Sequence, residues 1–567
     1  MAFASSFFKE NGLMVSMTAG HAVADALAKL GVRHVIGMAG SCMIEILDGM
    51  YGREDISFLT VRHEQSAALM ADAYARLTGE VGVCMATNGP GATNLVTGVA
   101  HSMMAQSPVL VITGAPMMKD TFRESTQELD QIAMFAPMVK WSVQVRKPER
   151  AFDVINEAYH VATSGVPGPV HVDLPRDVLN ETAEYPEGNG AVPMSRARLA
   201  PDPEAVARAA ALLGSAERPL LIGGGGVLWD ESSGDLLALA EALDAPIMTS
   251  TGRDDVVPNG HPLFLGSIGR GTLPEAHALF ERADVVFAVG TRLAHSTTFL
   301  RPDFFGGAKL IHAAVDPHNI GRNFATEVGM NAEAGLALRA VLGALGDKTA
   351  RPAWRAEAAT VRDAQEKHRE RALEYGGKPI DPRRAQMALA RVLPENTIIT
   401  NDAGSAAGYI YEYQRFDQAK SFVAPQDLAA IGIGYPLGLG AKLARPHQKV
   451  VTISGDGAFL CNGAELETAM RENLPTVCVI LNNFNLGSER AYQKHFYDGR
   501  YIADAIGNPR FDEYARVFGA AGYRVEDPED LEDVYAQALK EEGPSVVDVI
   551  IDQDVFPEPR RKDAVKK

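Results

Sequence analysis

Residues 449–483 read KVVTISGDGAFLCNGAELETAMRENLPTVCVILNN. KVVTIS is a short apolar and β-branched run, as expected of a strand buried on both faces, and it stops at a Gly-Asp-Gly turn. NGAELETAMREN has helical spacing, and TVCVIL is a second buried strand that ends on Asn482 and Asn483. Strand, helix and strand in that order give a parallel pair, so Asp456 and Asn483 emerge at the same carboxyl edge, where open α/β sheets bind ligands. An aspartate and an amide are hard oxygen donors suited to Mg²⁺ or Ca²⁺, and a cation with few protein ligands completes its shell with phosphate oxygens. Gly455 and Gly457, on either side of Asp456, let the backbone approach a phosphate closely. The GDG turn taken alone is more often an ordinary βα turn with an aspartate cap; the Asn-Asn pair at the end of the next strand turns the reading toward a metal.

The same alternation runs through the chain. HAVADALAKLG, HVIGMAG, EQSAALMADAYARLTG, VGVCMAT, PVLVITG and GPVHVDLP form a first series of helices and strands. NETAEYPEGNGAVPMSRARLAPDP, polar and rich in proline and glycine, reads as a linker. A second series holds RPLLIGGGG, APIMTS, ADVVFAVGTR and AKLIHAAVDP. A third follows the charged helical segment WRAEAATVRDAQEKHRERALEY, with strands in NTIITNDAG, KVVTISGDG, TVCVILNN and SVVDVIID. Short apolar strands separated by helices imply parallel sheets covered on both faces. The expected fold class is α/β, with three doubly wound parallel-sheet domains at 18–182, 195–348 and 375–552 and a basic tail at 553–567. The first and third series share a layout, as an old duplication would.

The bulk properties agree. A chain of 567 residues is too long for one core. Its net charge of -18 argues against a nucleic-acid partner, which needs a basic face. No apolar run approaches the length of a membrane span, and MAFASSFFKENGLMVSM lacks the basic and long apolar regions of a signal peptide and reads as a short arm. Cys42, Cys84, Cys461 and Cys478 form no C-x-x-C pair and read as reduced, buried thiols of a cytoplasmic protein.

GDG followed by NN at this spacing resembles the signature of thiamine diphosphate (ThDP) enzymes, and the resemblance extends over about residues 18–550. It implies that Asp456, the Asn483 side chain and the Asn485 carbonyl hold Mg²⁺, which in turn holds the cofactor's diphosphate. Gly404 and Ser405 of NDAGSAAG (401–408), with Gly455, Gly457 and Ala458, would line that diphosphate. TVRHEQSAALMADAYARLTG (60–79) resembles the catalytic-glutamate motif of the acetolactate-synthase branch, which makes Glu64 the acid set against the aminopyrimidine ring nitrogen. A glutamate in the first turn of a helix is otherwise a dipole-stabilising residue. Ile431, ahead of GIGYPLGLG, would be the wedge under the bent cofactor, or simply an apolar residue before a helix. Asn94 of NGPGATN (88–94) would contact the substrate side of the pyrimidine or cap a helix. In the family the cofactor lies between the first domain of one subunit and the third of another, so at least a homodimer is implied and a homotetramer is expected.

Substrate choice rests on individual residues. In ESTQELDQIAMFAP (124–137) the pair is Thr126-Gln127, where acetolactate synthases have Phe-Gln and oxalyl-CoA decarboxylases Tyr-Glu. Gln127 can hydrogen-bond a substrate carbonyl or hydroxyl. Glu489 of LGSERAYQKHFYDGRY (486–501) is either a proton shuttle facing the cavity, as in bacterial 2-hydroxyacyl-CoA lyases, or a helix-surface residue. The ending FPEPRRKDAVKK reads as a lid whose Arg560, Arg561 and Lys562 neutralise an anionic substrate such as a CoA thioester, or as a solvated tail. LIGGGG (221–226) and GTRL (290–293) resemble the family's site for FAD, ADP or CoA, with Arg253 and Arg270 as candidate phosphate contacts. There Asp316 stands two places beyond the acid of relatives, and Ala314 takes that acid's place. The resulting expectation is a ThDP- and Mg²⁺-dependent lyase that cleaves a 2-hydroxyacyl-CoA to formyl-CoA and an aldehyde or ketone, reversible as a carboligase. The alternatives are an acyltransferase resembling sulfoacetaldehyde acetyltransferase, an acetolactate-synthase-like carboligase, and a non-catalytic relative.

Overall fold

The computed structural model describes residues 14–186, 197–269, 271–346 and 350–557. They fall into two compact units, Met1–Ala197 and Arg198–Lys567. Unit one is built on a six-stranded sheet whose spatial order is Ser57–Thr60, His34–Gly37, Gly82–Ala86, Val109–Ala115, Val170–Pro175 and Ser142–Gln144, all parallel. Val109–Ala115 and Val170–Pro175 are buried along their whole length, as the apolar runs require. Part of the expected linker is a strand: Thr182–Pro186 pairs antiparallel with Met14–Thr18, which likewise takes up the last residues of the expected N-terminal arm.

Unit two holds two more six-stranded parallel sheets. The first runs Phe264–Ile268, Ile247–Ser250, Pro219–Gly223, Val285–Val289, Lys309–Ala314 and Val328–Asn331. The second runs Phe422–Val423, Ile398–Asn401, Val450–Gly455, Val477–Asn482, Ser545–Ile550 and Ala521–Val525. Numbered within each sheet along the chain, the N-terminal and C-terminal sheets have the same order, 2-1-3-4-6-5, whereas the central sheet is 3-2-1-4-5-6. The shared layout read from the first and third series is therefore a shared strand topology. Three doubly wound parallel sheets make this an α/β protein of the expected class.

Asp255, buried in the central part of this unit, accepts the backbone N–H groups of Ser421 (3.0 Å) and Phe422 (3.1 Å) on Oδ2. Phe422–Val423 is an edge strand, so the carboxylate takes donors that its own sheet leaves over. Arg351 closes another joint. It is 7% exposed, and its guanidinium donates to the carbonyls of Leu213, Gly214 and Ala216, at and just beyond the end of the helix Pro203–Ser215. It also donates to Leu243, which ends the helix Ser233–Leu243. A cation over two helix C-termini satisfies orphan carbonyls and opposes both dipoles. We expect Arg351→Ala to lower stability by about 3 kcal/mol, read as a drop in the urea midpoint, with Arg351→Lys recovering only part because an ammonium cannot span both helix ends.

Among the described residues no helix is long and apolar enough to cross a membrane. All four cysteines are free, but only Cys84 and Cys478 are buried; Cys461 is exposed and Cys42 half-buried.

Candidate cofactor site

In unit one the candidate acid is set by a tight helix crossing. Glu64 opens the helix Glu64–Thr78, whose cap, His63, accepts the N–H of Gln65 on Nδ1. This helix is covered nearly all round, which its alanine-rich sequence allows. It packs against Pro90–Ala105 through Gly98, where a Cβ would lie 2.6 Å from that of Ala68. The close approach brings Asn94, one turn before Gly98, over Glu64, and the Asn94 amide donates to Glu64 Oε2 at 2.9 Å. Asn94 lies inside the helix and its amide is committed to the acid; Gly89 holds the cap position. The other carboxylate oxygen, Oε1, faces Gly91, where a Cβ would stand 3.3 Å from it. Glu64 is thus 6% exposed, tied on one oxygen and open toward a glycine on the other.

The turn before Asn94 is fixed by residues that sequence reading missed. Gly89 has φ 62° and ψ -110°, a conformation that only glycine adopts readily. Its N–H donates to Gln131 Oε1 at 2.8 Å. Gln131, 2% exposed, donates through Nε2 to Asp173 Oδ1 (2.6 Å) and to the Gly114 carbonyl (2.9 Å). Burial pushes the Asp173 carboxyl up to about 6, against the hydrogen bonds from Gln144, Thr113 and Gln131. Asn88 donates to the Gln127 carbonyl at 3.0 Å, so the Thr126-Gln127 pair is stapled to the glycine turn; both of its side chains are exposed.

In unit two, Asp456 begins the helix Asp456–Asn462 and is 2% exposed. Asn483 and Asn485 follow the neighbouring strand across a turn at Phe484, which is held at φ 58°. Asn483 Oδ1 accepts the Asn485 N–H at 3.1 Å, and Asn485 Nδ2 donates to the Asn483 carbonyl at 2.6 Å. A Cβ on Gly487 would lie 2.4 Å from Ser405 Oγ and 3.0 Å from Asn483 Nδ2, so the 404–405 loop and the 483–487 segment meet there. Gly404, at φ 113°, and Gly455 have open space where a Cβ would stand; the Gly457 position faces Leu486 and Ile506, and Ala458 is buried. Burial raises the Asp456 carboxyl to about 6, against the hydrogen bond from Asn508.

Ile431 is 45% exposed, on a turn gripped from two sides. Asp402 accepts the N–H groups of Gly432 (2.9 Å) and Gly434 (2.8 Å), and Asn462 Nδ2 donates to the Gly432 carbonyl at 2.6 Å. Position 432 requires glycine, with φ 83° and a Cβ that would fall 2.4 Å from that of Cys461. Glu489 is exposed in the first turn of Gly487–Phe496, with no ion pair among the described residues.

The central sheet offers a less open cradle. Gly224 and Gly226 close onto Gly290 and Thr291, and a Cβ on Gly225 would lie 3.0 Å from Arg253 Nε. Asp316 is used locally, accepting the His318 N–H at 3.0 Å. The glycines sought for FAD, ADP or CoA are packed against protein, and Asp316 is a turn cap. Arg270, Arg560, Arg561 and Lys562 lie outside the described residues.

Three family models match. The N-terminal TPP binding domain of thiamine pyrophosphate enzymes covers residues 17–134, their central domain 206–341 and their C-terminal TPP binding domain 402–549. The chain belongs to the thiamine pyrophosphate enzymes. It is 34% identical, over 94% of its length and 92% of the relative's, to a probable acetolactate synthase large subunit of Methanocaldococcus jannaschii. It is 33% identical to the acetolactate synthase of Arthrospira platensis, over 95% and 96% of the two chains. It is 31% identical to acetolactate synthase isozyme 3 large subunit of Escherichia coli, over 96% and 97%.

The residues present fit the cofactor of the thiamine pyrophosphate enzymes. Asp456 is a buried carboxyl that burial alone pushes toward neutrality, and a divalent cation would hold it ionised. Asn483 and the Asn485 carbonyl would add neutral oxygens, hard donors of the kind that Mg²⁺ accepts. No group of three or more His, Cys, Asp or Glu suited to a metal occurs among the described residues.

Proposed function

We propose that this chain is a ThDP- and Mg²⁺-dependent carboligase of the acetolactate-synthase kind. It removes CO₂ from a 2-oxo acid and joins the remaining acyl unit to the carbonyl carbon of a second molecule. The observation that carries the reading is Glu64, buried, with one oxygen bound by Asn94 and the other facing Gly91. Such a carboxyl can hold a proton against a ring nitrogen and give it up without rearranging. Bound in this protein, ThDP supplies the carbon nucleophile that adds to a carbonyl and the electron sink that takes the pair left by departing CO₂. Asp456, Asn483 and Asn485 would hold the metal, and Gly404, Ser405, Gly455, Gly457 and Ala458 would lie along the diphosphate. Asp402 and Asn462 hold the turn that carries Ile431, which would support a bent cofactor. Gln127, stapled by Asn88, would present its amide to the substrate. The full-length likeness to acetolactate synthases supports the carboligase over the 2-hydroxyacyl-CoA lyase.

A second reading rests on Thr126, which leaves more room than the phenylalanine of acetolactate synthases and would admit a larger or anionic partner. It covers the 2-hydroxyacyl-CoA lyase, with Glu489 moving the proton, and the sulfoacetaldehyde acetyltransferase. One assay with ThDP and Mg²⁺ separates them. Pyruvate giving acetolactate and CO₂ in equal amounts is the expected result. Formyl-CoA from 2-hydroxyisobutyryl-CoA, or acetyl phosphate from sulfoacetaldehyde and phosphate, with no acetolactate formed, would replace it.

A further inference from the structure

The carboxylate of Asp456 does not stand alone. Asn508, in the irregular segment ahead of the helix Phe511–Val517, donates through Nδ2 to Asp456 Oδ2 at 2.7 Å and to Asn482 Oδ1 at 3.1 Å. Asn482 Nδ2 passes the contact on to Asp548 Oδ1 at 2.9 Å, in the strand Ser545–Ile550. Asp548 Oδ2 is held by Arg524 at 2.8 Å, from the strand Ala521–Val525. The chain Asp456, Asn508, Asn482, Asp548, Arg524 thus joins the candidate metal carboxylate to three adjacent strands of the C-terminal sheet. The sense of the Asn508 amide follows from its neighbours. Both are oxygens, one of them a carboxylate, so only the NH₂ end can face them, and its two protons are spent one on each. The remaining atom, Oδ1, is buried and has no hydrogen-bond partner among the described residues.

We propose that Asn508 is a positioning residue for metal binding: by holding Oδ2 it fixes the Asp456 carboxylate in the orientation in which it would meet the cation. Its own Oδ1, a buried acceptor beside that carboxylate, suits an O–H of a cation-bound water, and Mg²⁺ usually keeps such waters. The inference rests on the reading of Asp456 as a metal ligand.

Groups behind a metal ligand typically change metal affinity by about 10- to 100-fold when removed. The test is calorimetric titration of the full chain with ThDP at fixed Mg²⁺, for wild type, Asn508→Ala, Asn508→Leu and Asp456→Asn. Asn508→Leu keeps the volume and removes both polar atoms, and the ligand-free thermal midpoint of each variant reports its folding. The expected result is a Kd raised about tenfold or more in both Asn508 variants, with a ligand-free midpoint close to wild type. A purely structural role would instead lower the midpoint and leave the affinity of the folded fraction unchanged. A Kd within about twofold of wild type, beside a large loss in Asp456→Asn, overturns the role of Asn508 alone. No change in Asp456→Asn overturns the metal reading and this inference with it.

Discussion

Glu64→Gln is expected to cut turnover by about 10²- to 10⁴-fold while leaving ThDP affinity within a few-fold of wild type. The substitution keeps the length and volume of the side chain. Its amide oxygen can still accept from Asn94, so the helix crossing that positions residue 64 is preserved. The face toward Gly91 then carries an amide in place of an oxygen that can take and release a proton. The proposed diphosphate contacts lie on other residues, so binding and turnover should separate cleanly. Single-turnover kinetics together with a ThDP titration measure both. Turnover close to wild type would remove Glu64 from its role, and parallel loss of binding and turnover would make it a structural residue.

Asp456→Asn is expected to weaken binding of the ThDP–Mg²⁺ pair by about 100-fold, because one negative ligand is exchanged for a neutral one of the same shape. The pH dependence carries the signature. Burial raises the wild-type carboxyl from 3.8 to about 6. The cation binds the ionised form and displaces the proton, so the apparent affinity should fall about tenfold per pH unit below about 6 and level off above it. The variant lacks that proton and should lack that slope. Linkage fixes the sign for the ligand-free chain as well: a carboxyl whose folded value lies above its unfolded one contributes stability at low pH that is lost as pH rises through about 4 to 6. Added Mg²⁺ with ThDP should restore it. A titration with the same slope in wild type and variant would assign the proton to another group.

What could be read from the sequence was short-range. Asp456 and Asn483 end neighbouring strands, and the chain between them is one crossover, so apolar patterning alone brings them to one edge. Glu64 stands where a strand gives way to a helix, and its motif lies within a few turns. Three of the strands that were missed had no pattern to betray them. Phe422–Val423 is two residues long, Ser142–Gln144 three, and Ala521–Val525 is half-buried with a glycine and an arginine. The partners of the site residues were hidden for another reason: their meaning lies in contacts across long separations. Asn508 is 52 residues from Asp456, and Gln131 is 42 from Gly89. An isolated asparagine or glutamine in a polar stretch offers no periodicity, and only the fold reveals what it faces. Asp316 is the converse case, a residue in a suggestive place whose carboxylate is taken up by its own turn.

The bond from Asp255 to Ser421 and Phe422 bears on how such a chain can be rearranged. A layer whose outermost ribbon borrows its acceptor from the layer before it is not a portable module. Excised alone, residues 375–552 would present that ribbon bare to any passing chain. Gene fusions or transplants that keep both C-terminal layers together carry their own stopper, and recombination between them does not.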